Sequence, residues 1–303
     1  NNMNKHQSAQ AVTGEAGLRN GGQILVSALR RNGADRMFGV PGESALPIFD
    51  AVYEPDAGVR FIMCRHEATA SHMAEADGKL SKRPGICVVS RGPGAMQAAI
   101  GLHTAWQDST PMILIVGQVP RSHRGREAFQ EMDYSRTFDD MTKWAVEIDS
   151  VDRIPEIVSR AFHVAMQGRP GPVVLSIPED VLSATSSVAD AAPATTIDAA
   201  PSAQQMADVR RLLQQAQRPL VIVGNLGWNV EAASRFRTFV EQNNLPVVAG
   251  FRSQDVLDNR SEQYIGDISL GCSRPLMARV KTADLLLVIG DRLGDVTTNH
   301  YSL

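Results

Sequence analysis

Cysteine is scarce in this sequence of 303 residues, and its spacing carries no metal or disulfide pattern. The three cysteines, at positions 64, 87 and 272, lie far apart and form no C-x-x-C pair. Such spacing argues against a zinc site and against a disulfide framework. Cys64 and Cys87 occur in apolar, strand-like runs, where a buried thiol acts as a small hydrophobic side chain. A reducing cytoplasm therefore fits the sequence best.

Long apolar runs are lacking as well. The strongest run covers only residues 111–116, whereas a helix that spans a membrane needs about 20 apolar residues. Residues 1–18 lack the apolar segment of a secretory signal, and we predict that they form a disordered tail. No membrane partner is expected.

An excess of positive charge is the third absence. The net charge is −3 and no basic stripe is present, so nucleic acid is not an expected partner. The composition, with 43% hydrophobic and 21% charged residues, is typical of a globular protein with a hydrophobic core. The length is typical of about two domains.

From residue 19 onward, short β-branched runs alternate with helical patterns. Continuous apolar strands joined by helices are typical of a parallel sheet covered by helices on both faces. We therefore predict an α/β domain over residues 19–183. Its strands are predicted at residues 36–40, 59–63, 85–90, 112–117, 145–148 and 173–177, and its helices at 21–32, 44–53, 66–81, 95–107 and 152–167.

The composition changes at residues 184–203, which are small, polar and interrupted by proline. This segment is predicted to be a linker. A second α/β unit follows over residues 204–303, with helices at 204–216, 229–243 and 274–281. It contains only three clear strands, at residues 220–224, 246–249 and 285–290, so we expect a domain that is cut short.

Glu67 begins a predicted helix in which positions 68, 70, 74 and 76 are alanine. Small side chains let another backbone or a second subunit approach closely, and such an approach would bury the amino end of the helix. A carboxylate at this position is also stabilised by the helix dipole, so a simple capping role explains the same residue. The residues alone leave both interpretations open.

Two glycine-rich segments follow strands, at residues 38–44 and 90–97. Ligands in doubly wound sheets bind at the carboxyl ends of strands. However, a tight turn capped by Ser44 explains the first segment, and the second matches neither the Walker nor the dinucleotide pattern. A long polar loop at residues 117–131 follows the most apolar strand, and loops of this size are more often functional than incidental.

Taken together and in this order, these segments resemble the pyrimidine-binding domain of thiamine-diphosphate enzymes. The likeness is greatest to the large subunit of acetohydroxyacid (acetolactate) synthase. Residues 283–293 resemble the central domain of the same family, which implies an incomplete Rossmann-like α/β domain after the first. Seven collinear stretches carry the resemblance, at residues 38–43, 65–68, 85–95, 108–111, 117–120, 128–131 and 168–173.

The resemblance implies that thiamine diphosphate is the coenzyme and that Glu67 activates it. In this family a glutamate at that position forms a hydrogen bond with the aminopyrimidine ring. Gln130 would hold a carbonyl or carboxylate of the substrate. One departure concerns Met96 and Gln97, which stand where synthases usually carry Thr and Asn. The residues expected near the coenzyme are Pro41, Gly42, Gly92, Pro93, Gly94 and Gln97, and those expected in the substrate pocket are Val40, Phe129 and Gln130.

The implied function is that of a decarboxylase or carboligase, a lyase or transferase acting on 2-oxo acids. The family's coenzyme lies between two subunits, which implies a homodimer or a homotetramer. Two alternatives stay open: a separate pyrimidine-domain subunit, and a nonenzymatic regulatory or nucleotide-binding paralogue.

The resemblance also implies what this chain does not supply. The family holds Mg²⁺ and the diphosphate through a Gly-Asp-Gly segment in a carboxy-terminal domain, and neither Gly266-Asp267 nor Gly290-Asp291 matches it. We therefore expect no metal ligand here and a chain that is part of a longer enzyme. Bound FAD or ADP stays open, because residues 220–228 contain glycines without the full dinucleotide spacing.

Overall fold

The computed structural model describes residues 17–197 and 199–303. The chain divides into two compact units, and the boundary falls between Thr196 and Ile197. Of the predicted disordered tail, residues 1–16 lie outside the described residues. Among the described residues, no helix has the length and apolar character that crossing a membrane requires.

The first unit contains the strands β1 (Arg19–Asn20), β2 (Arg36–Gly39), β3 (Arg60–Met63), β4 (Gly85–Ser90), β5 (Met112–Gln118), β6 (Trp144–Glu147), β7 (Pro172–Pro178) and β8 (Thr185–Ser186). Six of them form a sheet in the order β3-β2-β4-β5-β7-β6, with all neighbouring strands parallel, and β1 pairs with β8 in a separate antiparallel sheet. Its helices are α1 (Gly21–Arg31), α2 (Leu46–Val52), α3 (Glu67–Ser81), α4 (Arg91–Asp108), α5 (Tyr134–Thr137), α6 (Ile154–Met166) and α7 (Glu179–Ser183). The parallel α/β fold predicted from the sequence is confirmed.

Strand β5 shows why both faces of the sheet are covered. All of its residues are buried, and successive side chains of a strand point to opposite faces. Ile113 and Ile115 enter one hydrophobic core, which α1, α2 and α6 complete. Met112, Leu114 and Val116 enter the other, which α3 and α4 complete. A continuous apolar strand is the expected consequence of burial on both sides.

Helix α4 begins at Arg91, four residues before its predicted start at residue 95. The segment Gly92-Pro93-Gly94 is therefore the first turn of a helix and not a separate glycine turn. Proline is tolerated in a first turn, because amides there have no acceptor within the helix.

The second unit contains the strands β9 (Pro219–Val223), β10 (Val247–Ala249), β11 (Tyr264–Asp267) and β12 (Leu285–Ile289). They form a parallel sheet in the order β11-β10-β9-β12. The predicted count of three strands was wrong. The missed strand, β11, is only half-buried and contains Gly266 in a left-handed conformation, so it lacks the apolar pattern of its neighbours. The helices of this unit are α8 (Ala203–Gln215), α9 (Val230–Gln242) and α10 (Arg274–Lys281).

Candidate active site

Four neighbouring strands of the first sheet lead to the residues predicted to form the site. In the order β3, β2, β4 and β5, the strands are followed by Glu67, by residues 40–42, by residues 92–94, and by the loop that contains Phe129 and Gln130. Because the strands are parallel, their carboxyl ends meet at one edge of the sheet. Ligands of open α/β sheets bind at this edge.

Glu67 is the first residue of α3, and its side chain does not cap that helix. The capping acceptor is His66, whose Nδ1 receives the amide of Ala68 at 3.1 Å. Glu67 is half-buried, and its carboxylate forms no hydrogen bond or ion pair with any residue in the described part of the chain. The helix end therefore leaves this carboxylate available to a ligand.

Gly94 lies opposite that carboxylate. A Cβ atom added at Gly94 would lie 3.6 Å from Oε1 of Glu67 and 3.3 Å from Cβ of Val89. The small residues of α3 admit the backbone of α4 in the same way, since a Cβ at Gly101 would lie 2.3 Å from Oγ of Ser71. The alanine-rich pattern of α3 thus accommodates a neighbouring helix of the same chain.

The turn after β2 makes a close contact with the end of β4. A Cβ atom at Gly42 would lie 2.2 Å from Cβ of Ser90, so this position requires glycine. Ser44 is fully buried, and its hydroxyl shares a hydrogen bond of 2.9 Å with the hydroxyl of Ser90. The side chain of Ser44 caps no helix and instead joins the turn after β2 to the end of β4.

The loop after β5 reaches the first turn of α4. The amide of Gly92 donates a hydrogen bond of 3.1 Å to the carbonyl of Gln130. The side chain of Phe129 is 77% exposed, so its aromatic surface is available to a ligand or to another molecule.

The remaining predicted residues lie at the same edge of the sheet without direct mutual contacts. Pro41, Pro93 and Gln97 are exposed and Val40 is half-buried. Within the described residues, no hydrogen bond connects Gln97 with Glu67. The structure thus places Glu67 close to Gly94, and Gly92 close to Gln130. The role of Gln97 stays a prediction.

Arg91 and Glu179, which follow β4 and β7 respectively, form an ion pair that was not predicted from the sequence. Nη2 of Arg91 donates to Oε2 of Glu179 at 2.9 Å, and the Arg91 side chain is largely buried. Arg91 also has a positive φ of 43°. The only sequence signal was a charged residue directly before Gly-Pro-Gly, at the end of an apolar strand.

Tyr134 is a second buried polar residue that was missed. Its side chain is almost completely buried, and its hydroxyl has no partner among the described residues. Burial raises the pKa of Tyr134 well above its usual range, against the opposing effect of the nearby Arg124 and Arg91 charges.

No three His, Cys, Asp or Glu side chains converge as metal ligands in residues 17–197 and 199–303. The aspartates of the two Gly-Asp pairs in the second unit accept hydrogen bonds from residues close to them in the chain. Asp267 accepts a hydrogen bond from the Ser269 hydroxyl. Asp291 accepts the amide of Leu293 at 2.6 Å, and burial raises its pKa.

The glycine turn after β9 is closely packed. The indole Nε1 of Trp228 donates to the carbonyl of Gly224 at 2.6 Å. A Cβ at Gly224 would lie 2.2 Å from the carbonyl oxygen of Gly290. Close approach of two strand ends therefore explains this glycine, and bound FAD or ADP stays a prediction.

Comparison with known proteins identifies both units. Residues 19–137 match the family described as "Thiamine pyrophosphate enzyme, N-terminal TPP binding domain". Residues 206–303 match "Thiamine pyrophosphate enzyme, central domain".

Curated relatives include several acetolactate synthases. The isozyme 2 large subunit of Escherichia coli (strain K12) is 31% identical over 279 residues, which are 92% of this chain and 50% of the relative. The large subunit of Parasynechococcus marenigrum (strain WH8102) is 35% identical over 288 residues, 92% of this chain and 46% of the relative. The enzyme of Bacillus subtilis (strain 168) is 33% identical over 272 residues, which are 89% of this chain and 47% of the relative. The chain spans about half the length of these relatives. It belongs to the thiamine pyrophosphate enzyme family, of which it carries the N-terminal TPP binding domain and the central domain.

Proposed function

We propose that the protein is a thiamine-diphosphate-dependent enzyme that decarboxylates or ligates 2-oxo acids, with an activity related to that of acetolactate synthase. One observation carries the proposal: Glu67 is half-buried, and its carboxylate faces Gly94 and has no hydrogen-bond or ion-pair partner among the described residues. The similarity to acetolactate synthases supports the same reaction class.

The residues around Glu67 fit a flat heterocycle. Gly94 has no side chain on the side that faces the carboxylate. Pro41 and Pro93 offer exposed apolar rings at the same edge of the sheet. The bound coenzyme would supply a nucleophilic carbon and an electron sink for the loss of carbon dioxide.

Glu67 would hold a proton at a nitrogen of the pyrimidine ring, since a carboxyl group forms a strong hydrogen bond with such a base once the bound coenzyme excludes water from it. Gln130 would donate its side-chain amide to a carbonyl or carboxylate of the 2-oxo acid. Phe129 and Val40 would provide apolar surface against the rest of the substrate. Mg²⁺ and the diphosphate group would be held outside the N-terminal and central domains, to which the two described units belong.

We also propose that the enzyme is a homodimer or a homotetramer. The solvent-facing sides of α3 and α4 carry Met73, Leu80, Met96 and Ile100, which are 37%, 83%, 50% and 55% exposed. Several exposed apolar side chains on two packed helices are typical of an interaction surface. A second copy on this surface would exclude water from the amino ends of both helices. The free cysteines Cys64, Cys87 and Cys272 support a location in the reducing cytoplasm.

The test uses the protein as its gene encodes it, with thiamine diphosphate and Mg²⁺. A panel of 2-oxo acids is screened for release of carbon dioxide and for the products formed. Glu67→Gln should abolish turnover and leave the thermal unfolding midpoint close to that of the wild type. Glu156→Gln is the matched control, because Glu156 also lies in the first turn of a helix but is 64% exposed. Turnover in Glu67→Gln equal to that in Glu156→Gln would reject the proposed function.

A further inference from the structure

The loop between β5 and α5, residues 119–133, contains Phe129 and Gln130 and has an unusual main chain. Gln130 has a φ of 65° and Glu127 a φ of 55°. Residues other than glycine seldom adopt this left-handed conformation, and they keep it only where surrounding contacts enforce it. The conformation of the β5–α5 loop therefore needs an explanation in its contacts.

Gln118, the last residue of β5, connects the two ends of this loop. Its side chain is fully buried. The amide Nε2 donates to the carbonyl of Met132 at 2.8 Å and to Oε2 of Glu147 at 3.4 Å. The amide oxygen accepts the backbone amide of Val119 at 2.9 Å. One buried side chain thus fixes residues 119 and 132 relative to each other.

Arg124 reinforces the same end of the loop. Its Nη1 donates to the carbonyl of Met132 at 3.0 Å, so this carbonyl accepts from both Arg124 and Gln118. Its Nη2 lies 3.4 Å from Oε2 of Glu147, at the end of β6. Hydrogen bonds of a charged group contribute more than neutral ones.

The side chain of Glu131 holds residues 125–131 of the loop together through hydrogen bonds to the main chain. Its carboxylate accepts the amide of Gly125 at 2.7 Å and the amide of Ala128 at 3.2 Å. Nη1 of Arg124 lies 3.6 Å from the same carboxylate. The guanidinium therefore connects the closed segment to the end of β6.

The opposite side of the segment rests on α4. Gly92 donates its amide to the carbonyl of Gln130, and a Cβ at Gly92 would lie 3.0 Å from both that oxygen and Sδ of Met132. Residues 124–132 therefore contact the first turn of α4 on one side and, through Arg124, Glu147 at the end of β6 on the other.

We propose that Gln118, Arg124 and Glu147 are positioning residues that set the β5–α5 loop so that Phe129 and Gln130 face the ligand near Glu67. They act through the main chain and do not touch the substrate. The catalytic consequence rests on the proposed function, whereas the effect on the loop conformation does not.

The test compares Arg124→Met with Arg126→Met in the protein as its gene encodes it. Arg126 lies on the same loop, but its exposed side chain makes no hydrogen bond or ion pair with a described residue, so both variants remove one charge and only one removes the contacts. Hydrogen exchange of residues 125–131 is measured by mass spectrometry. We expect exchange to accelerate about tenfold in Arg124→Met, the factor for losing one charge-assisted hydrogen bond, and to stay near wild type in Arg126→Met.

Turnover supplies the second readout. In Arg124→Met, kcat should fall by about tenfold or more, since bound substrate would meet a misplaced Gln130, while the unfolding midpoint changes little. Arg124→Lys should recover part of kcat, because lysine keeps the charge without the two-pronged geometry. Should Arg124→Met fail to fold, Glu147→Gln removes the charge that faces Arg124 and should shift both readouts in the same direction.

The two proposals fail in different ways. Unchanged turnover in Glu67→Gln removes the proposed function, and the exchange rates still test the loop. Exchange rates that are equal in Arg124→Met and Arg126→Met overturn the positioning role. Faster exchange with an unchanged kcat in the Arg124 variant overturns it as well.

Discussion

Oε1 of Glu67 lies 3.6 Å from the point that a Cβ of Gly94 would occupy. Because these residues begin α3 and α4, the relationship fixes how the amino ends of the two helices face each other. Because Gly94 has no side chain, a space remains between the two helix ends. Glycine at position 94 therefore keeps the space beside Glu67 open, although glycine is unfavourable within a helix.

Side chains at position 94 should weaken coenzyme binding in proportion to their size. Gly94→Ala is expected to fold, since its Cβ would meet Val89 at 3.3 Å and Glu67 at 3.6 Å, distances that a small shift relieves. Gly94→Val extends toward the carboxylate and should weaken thiamine diphosphate binding by about tenfold or more, the scale of one lost hydrogen bond to a charged group. Isothermal titration calorimetry gives both dissociation constants. Wild-type affinity in Gly94→Val would place the pyrimidine ring elsewhere.

A side chain at Gly101 should affect stability instead. Its Cβ would lie 2.3 Å from Oγ of Ser71 and 2.7 Å from the Ser71 carbonyl carbon. Gly101→Ala is therefore expected to destabilise the fold by about 1–3 kcal/mol, as overpacked cores do. The measurement is chemical denaturation. Ser71→Ala should not rescue the variant, because the contact with the backbone carbon persists; full rescue would show that only the hydroxyl limits the approach of α4.

The parallel sheets could be predicted from the sequence because strands buried on both faces, such as β5, are continuous runs of apolar residues. Strand β11 has no such run, since Tyr264–Asp267 is half-buried. The start of α4 was misjudged for a local reason: Gly-Pro-Gly is typical of a turn, yet a first helical turn also accepts it.

The contacts of the β5–α5 loop could not be predicted. Gln118, Arg124 and Glu147 are separated by up to 29 positions in the chain. The sheet order, with β7 between β5 and β6, brings Gln118 near Glu147, and the β5–α5 loop carries Arg124 to the same place. Pattern and propensity describe neighbours along the chain, and such contacts depend on topology.

The loop should loosen in acid because of Glu131. Hydrogen bonds from the Gly125 and Ala128 amides, with the nearby Arg124 charge, outweigh burial and lower the pKa of Glu131. A carboxylate with a lowered folded-state pKa contributes stability above its unfolded value of about 4.3, and this contribution is lost as the pH falls through the folded value. Hydrogen exchange of residues 125–131, corrected for intrinsic rates, should therefore accelerate as the pH falls through the lowered folded-state pKa of Glu131.

Glu131→Gln tests the assignment, since its neutral amide has no charge to lose. The variant should show faster exchange at neutral pH and little further change in acid. Glu127→Gln, an exposed residue of the same loop, is the control. An acid transition that persists unchanged in Glu131→Gln would assign the effect to another carboxylate, such as Glu147.

The proposed subunit contact predicts a defined effect of charge on assembly. Ile100→Glu places a carboxylate on the exposed apolar side of α4, where burial against a second copy would leave it without a partner. The variant should dissociate at concentrations at which the wild type is a dimer or a tetramer, and turnover should fall with the assembled fraction. Leu46→Glu is the matched control, because Leu46 is 52% exposed on α2 of the same unit. Sedimentation velocity distinguishes the two variants. If Ile100→Glu assembles as the wild type does, the subunits meet through another surface.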